Sequence, residues 1–229
     1  MSRHQQDVEA LLAAILERAS DVLELPEHDR EARIKFFRNA AYEDRLTVTS
    51  NKDHANGFAD RMEAWLLQLA PASSELLRLA ARCQHLERWT VPRNSYPEGR
   101  AGYLTWRKLL YGKQAERTRD LLVQAGVSFQ QAEDAATWVS KVGLQTNPNT
   151  QLLEDAACLV FLENEISTFA AEHANYPREK FITIVAKTWR KMSQTARNAA
   201  ASIDLSPAIA DIVREAVAVA HAPDFLPGL

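Results

Sequence analysis

At 229 residues, 46% hydrophobic and 25% charged, the chain is long enough to bury a core and too apolar to stay disordered. Seven Gly and nine Pro exclude a fibrous repeat, and no apolar run approaches the ~18 residues of a membrane span. Residues 1–20 lack the uninterrupted apolar stretch of a signal peptide, so the expectation is a soluble cytoplasmic protein with no membrane partner. Cys83 and Cys158 sit inside apolar helical patterns and read as buried thiols rather than a disulfide or a metal cluster.

The formal net charge of −3 hides an uneven distribution. Between Arg78 and Arg119 ten Lys/Arg stand against three acids, and between Arg178 and Arg197 six stand against Glu179. The rest of the chain is therefore acidic. Two basic segments on an acidic body point to a local anion site rather than a generally basic surface; the competing explanation is a pair of solvated helix faces.

Taken in order, nearly every segment shows helical period. Val8, Leu11, Leu12, Ile15, Leu16 and Ala19 make one stripe, ended by Leu25-Pro26. Ile34, Phe37, Ala41 and Tyr42 make a second. Phe58, Met62, Trp65, Leu66 and Leu69 make a third, stopped at Ala70-Pro71. Ser73 or Ser74 caps the next helix, whose inward residues are Leu76, Leu79, Ala80, Cys83 and Leu86. Ser128 and Gln131 form a capping box, and Gly143 fits the stop of that helix. After Asn147-Pro148, a strongly apolar helix spans about Gln151 to Glu172. Tyr176-Pro177 separates it from a helix through Phe181, Ile184, Val185, Thr188, Trp189 and Met192. Ser206-Pro207 opens the last helix. No alternating run is long enough for a strand, so the fold class is all-α, a single compact domain of about seven or eight helices. Its parts are an N-terminal helix packed on the core (1–30), a core domain (31–202), and a C-terminal helix and tail (203–229).

One long non-helical passage, Trp89 to Gly102, interrupts this pattern. A structured loop of that length in a helical chain is more often functional than decorative. Around it lie Arg88, Arg93, Arg100 and Arg107 with Tyr96, Tyr103 and Trp106. Guanidinium groups offer planar paired donors to phosphate, and aromatic faces stack on bases. These seven residues, with Lys187 and Arg190 of the second basic segment, are the predicted ligand-binding set. Their partner is expected to be a phosphate-bearing small molecule or RNA, with oligomeric state undetermined. The competing explanation is a loop pinned by Arg–carboxylate pairs, with Trp and Tyr filling the core.

Several runs carry a resemblance. They are Cys83-Gln84-His85-Leu86-Glu87-Arg88-Trp89, Pro92-Arg93, Tyr96-Pro97, Arg100-Ala101-Gly102-Tyr103 and Trp106-Arg107. Arg61-Met62 with Trp65-Leu66, the run Leu153 to Leu162, and Lys187 to Ser193 complete the set. Over about residues 35–200 the chain resembles an uncharacterised family labelled domain of unknown function 4202. The resemblance implies a shared helical fold and no known reaction. Gln114 stands where that family carries His.

His85 and Asp155 lie in the densest of these runs and are the candidate catalytic pair, with Glu87 beside them. Asp155 is expected to orient the imidazole and raise its basicity. Their spacing is similar to the central and last ligands of the HD-type metal phosphohydrolases, which implies an HD-like helical core. However, Leu86 follows His85 where the paired Asp belongs, and Arg61 stands where an early His belongs. One His and one Asp ligate no metal adequately, so neither a metal nor another cofactor is expected. If the protein is an enzyme, it is a phosphohydrolase. Lys191-Met192-Ser193 is similar to part of the class I synthetase signature loop, but it lies in a helical pattern with no companion motif, which rejects that activity. A non-enzymatic helical adaptor is the remaining alternative, since no Ser/His/Asp, Cys/His or phosphate-loop arrangement is present.

Overall fold

Capping side chains and proline breaks set the helix ends. A computed structural model of the chain describes residues 57–86 and 88–222, with Trp89 and Gln124 given by backbone alone. The stripes at Val8–Ala19 and Ile34–Tyr42 lie outside the described residues. Among those described, every regular element is helical and no strand forms. No described helix is long and apolar enough to cross a membrane. The chain divides into two units, Met1–Leu153 and Glu154–Leu229.

In the first unit, α1 (Phe58–Leu69) is followed by α2 (Glu75–Arg82). The α2 cap is Ser74, whose Oγ accepts from the Leu77 amide at 3.3 Å, and α1 packs against α2. A part-buried ion network joins the two helices. Arg82, only 4% exposed, donates to Asp60 at 2.6 Å and to Glu63 at 3.1 Å. Arg78 donates to Glu63 and Glu75. Farther along, Arg119 bonds Asp120 and Glu133. Three cations of the first basic segment are thus paired with acids that all lie outside that segment. Arg82 is the buried cation among them, and stripping it of its acids would strand its charge, at a cost of about 3–5 kcal/mol.

Two 3-10 turns, Arg88–Thr90 and Arg93–Ser95, fill the connection from α2 to α3 (Gly99–Gln124). Next comes α4 (Phe129–Val139), which packs on both α3 and α2. Its inward residues Ala132 and Ala135 are fully buried. Half of the capping box forms: Ser128 Oγ accepts from the Gln131 amide, while Gln131 Oε1 accepts from the Ser128 hydroxyl at 2.8 Å rather than from its backbone N–H. The helix nevertheless stops at Val139, ahead of Gly143. The cause is Lys141, which enters the left-handed region at φ 64 and cannot continue a right-handed helix. Gly143, at φ 73, then turns the chain, and Asn147 Oδ1 caps the next helix by accepting from the Asn149 and Thr150 amides.

That helix, α5 (Pro148–Val160), contains the boundary between the two units. It passes through a π turn at Phe161–Glu165 into α6 (Ile166–Glu172), so the apolar run to Glu172 is helical throughout. In the second unit α7 (Arg178–Lys191) packs against α9 (Pro207–His221). The helical pattern through Met192 breaks one residue early: Met192 is extended, at ψ 142. Ser193 then caps α8 (Gln194–Ala200) by accepting from the Ala196 amide at 3.2 Å. Lys191-Met192-Ser193 is therefore a helix junction rather than mid-helix.

The start of α3 depends on one glycine. A Cβ built on Gly102 would lie 2.0 Å from the Pro97 carbonyl oxygen, whereas one on Gly112, in the same helix, meets nothing within 4 Å. Gly102→Ala should cost about 2 kcal/mol, a fall of roughly 4–8 °C in Tm. Gly112→Ala should instead stabilise by about 0.5–1 kcal/mol. Thermal unfolding of the two variants side by side checks both the close approach and the helix; equal effects would contradict it.

Candidate functional site

Trp106 positions the passage between α2 and α3. Its indole N–H donates to the Val91 carbonyl at 2.8 Å. Val91, Trp106 and Leu110 form a buried cluster with Tyr96 packed on it. The ring, 6% exposed, lies beneath two guanidinium groups: Arg88 is 4.8 Å and Arg93 6.0 Å from its centroid. Arg93 also donates to the Tyr96 and Pro97 carbonyls, both at 3.0 Å. Trp106, Arg93 and Tyr96 therefore act together as the clasp of the loop. Arg100 and Tyr103 are exposed on the first turns of α3.

His85 follows α2 and stacks on Phe58 of α1, with ring centroids 3.8 Å apart and planes 12° apart. Arg88 Nη1 lies 3.2 Å from His85 Nε2. A guanidinium can only donate, so Nε2 accepts and the imidazole is neutral with its proton on Nδ1. Burial holds the imidazole well below its ordinary pKa of 6.5, and the charges of Arg88, Arg107 and Lys141 press it further in the same direction. The expected gain in basicity is thus reversed. Tyr111 connects two of these cations. Arg107 bonds its hydroxyl and stands 4.9 Å from its ring centroid, while Lys141 Nζ is 5.3 Å from the same centroid. Tyr103 flanks Arg107 at 5.9 Å.

The structure brings together His85, Arg88 and Arg107 of the predicted set, and adds Lys141 and Tyr111, which sequence reasoning missed. Lys141 stands outside both basic segments, and only the left-handed turn after α4 places it there. Glu87 lies outside the described residues.

Asp155, Lys187 and Arg190 belong to the second unit. Asp155, 1% exposed, accepts the Ser193 amide at 2.8 Å and so ties the α7–α8 junction to α5. Glu154 pairs with Lys191 at 3.3 Å. Lys187 and Arg190 lie near the C-terminal end of α7. Asp155 and Glu154 thus have partners within their own unit. Among the described residues no three His, Cys, Asp or Glu side chains gather as a metal-ligand set. Both cysteines are buried thiols outside any disulfide, and burial pushes the Cys83 thiol up to about 12, which makes it unreactive at neutral pH.

The first unit thus holds a neutral imidazole among three cations, two of them braced on one tyrosine. Such an arrangement can hold an anion. No curated protein matches the chain, and no solved structure does. The profile described as Domain of unknown function (DUF4202) matches residues 31–213, from ahead of α1 into α9, and the chain belongs to that family.

Proposed function

We propose that the protein binds a phosphate-bearing ligand, a nucleotide or an RNA end, at Arg88, Arg107 and Lys141 around His85. The observation that carries this reading is the convergence of three cationic side chains on a histidine that their charge helps to keep neutral. Two come from α3 and the turn before it, and the third from the turn after α4. Like charges repel when brought together, and a bound polyanion relieves that repulsion. Tyr103, 43% exposed beside Arg107, offers a ring face on which a base can stack. Trp106 has no such face to offer, because it is buried beneath Arg88 and Arg93.

Calorimetric titration with inorganic pyrophosphate, adenosine monophosphate and a 5′-phosphorylated RNA oligonucleotide tests the proposal. At least one should bind at low salt. A charge-assisted contact is worth ~1.5–3 kcal/mol, so Lys141→Met and Arg107→Met should each weaken binding roughly ten- to a hundredfold. RNA contacting several phosphates should lose affinity steeply as salt rises, whereas a mononucleotide should respond weakly. Release of inorganic phosphate from the bound compound would mark a phosphohydrolase. Failure of all three compounds to bind would contradict the proposal and leave the helical adaptor.

A pH dependence follows from the same histidine. In the unfolded chain His85 takes up a proton near pH 6.5; in the folded chain it resists doing so. The stability from its neutral form is present above about pH 6.5 and declines as pH falls below it. His85→Gln removes that proton uptake, so its Tm should fall less than the wild-type Tm between about pH 7 and pH 5. Superimposable acid limbs would contradict the assignment.

A further inference from the structure

The two ring nitrogens of His85 have different surroundings. Nε2 accepts from Arg88 at 3.2 Å, which leaves the ring proton on Nδ1. Stacking on Phe58, with the planes 12° apart, fixes the plane in which that N–H lies. His173 and His221 each hold Nδ1 against the carbonyl four residues back, at 2.9 Å on Phe169 and 2.8 Å on Val217. His85 follows α2 instead of lying within it, and its Nδ1–H meets no acceptor among the described residues. Nor is that atom sealed away. The side-chain amide nitrogens of Gln84 and Gln114 are shut off from solvent without a partner, whereas Nδ1 of the half-buried His85 stays open.

We propose that the His85 Nδ1–H donates to an unprotonated oxygen of the phosphate-bearing ligand, which makes the imidazole a direct contact of the site. The inference rests on the binding reading above and names the atom of His85 that meets the ligand. Arg88 then has two tasks: it contributes charge, and by occupying Nε2 it keeps the proton on the other nitrogen. A neutral N–H adds a bond without adding to the repulsion among Arg88, Arg107 and Lys141. Charge attracts an anion from any direction, but a fixed N–H requires an acceptor along one line. His85 therefore sets where a phosphate oxygen sits, and the cations set how strongly it is held.

Asn and Gln tell the two ring nitrogens apart. The Asn amide nitrogen is as many bonds from the backbone as Nδ1, and the Gln amide group as many as Nε2. Both variants lose the ring stacked on Phe58, but only Asn keeps a donor at the Nδ1 position. The test is calorimetric titration of the full chain with inorganic pyrophosphate, adenosine monophosphate and a 5′-phosphorylated RNA oligonucleotide. His85→Gln should weaken binding roughly ten- to a hundredfold, and His85→Asn should bind tighter than His85→Gln. NMR of the wild-type imidazole keeps the test decisive if a variant does not fold. The proton should reside on Nδ1, and its signal should move downfield when the ligand binds. Wild-type protein that binds none of the three compounds would overturn the binding reading and this inference with it. Binding by the wild type with His85→Asn no tighter than His85→Gln, with the proton on Nε2, or with an unmoved Nδ1–H signal would overturn this inference alone.

Discussion

The attachment of the loop between α2 and α3 to α3 centres on one buried hydrogen bond, from the Trp106 indole to the Val91 carbonyl. The described chain between α2 and α3 has two short 3-10 turns and local backbone bonds such as Val91 N–H to the Arg88 carbonyl and Tyr96 N–H to the Arg93 carbonyl, and the Trp106 bond ties these turns to α3. Trp106 supplies a large apolar surface and a single donor at a defined angle, and both are satisfied by the loop. Once the indole is seated, Arg88 and Arg93 lie over its face. Arg93 closes on the Tyr96 and Pro97 carbonyls, and Gly102 allows the Pro97 carbonyl to approach the helix. Arg88 in turn fixes which nitrogen of His85 accepts.

The electrostatic consequence is a histidine held neutral in a positive field. An imidazole between Phe58 and Arg88 has lost much of its hydration, and the neighbouring cations make a further positive charge unfavourable. The backbone pays for this arrangement at Lys141, whose left-handed conformation costs a residue with a Cβ on the order of 1–2 kcal/mol. In return Lys141 reaches the Tyr111 ring already occupied by Arg107. This neutral, cation-flanked imidazole is the basis on which we propose a ligand of opposite charge rather than a general acid–base role for His85.

Much of the fold is legible in the sequence because helix ends carry chemical punctuation. Ser74 and Ser128 form side-chain caps, Asn147-Pro148 opens α5, and Ser206-Pro207 opens α9. The errors fall where tertiary contacts override local pattern. Met192 belongs to the apolar stripe and is buried, but the Ser193 amide is drawn to Asp155 and the helix breaks there. Gly143 carries the expected left-handed turn, yet Lys141 reaches that region first. At the site, the Arg and aromatic residues around the loop are recognisable from composition, but their division of labour is not. Trp106 and Arg93 are clasps, whereas Arg88 and Arg107 face His85. Nothing in one-dimensional spacing brings Lys141 to Tyr111, and acids of α1 that neutralise Arg78 and Arg82 lie outside the segment whose charge looks unbalanced.

The titration of His85, followed by NMR of its imidazole signals with and without inorganic pyrophosphate, tests the central claim most directly. A polyanion seated among Arg88, Arg107 and Lys141 should offset their charge and raise the His85 pKa toward its ordinary value. An unchanged His85 titration under conditions where pyrophosphate binds the protein would place the anion elsewhere and contradict the account.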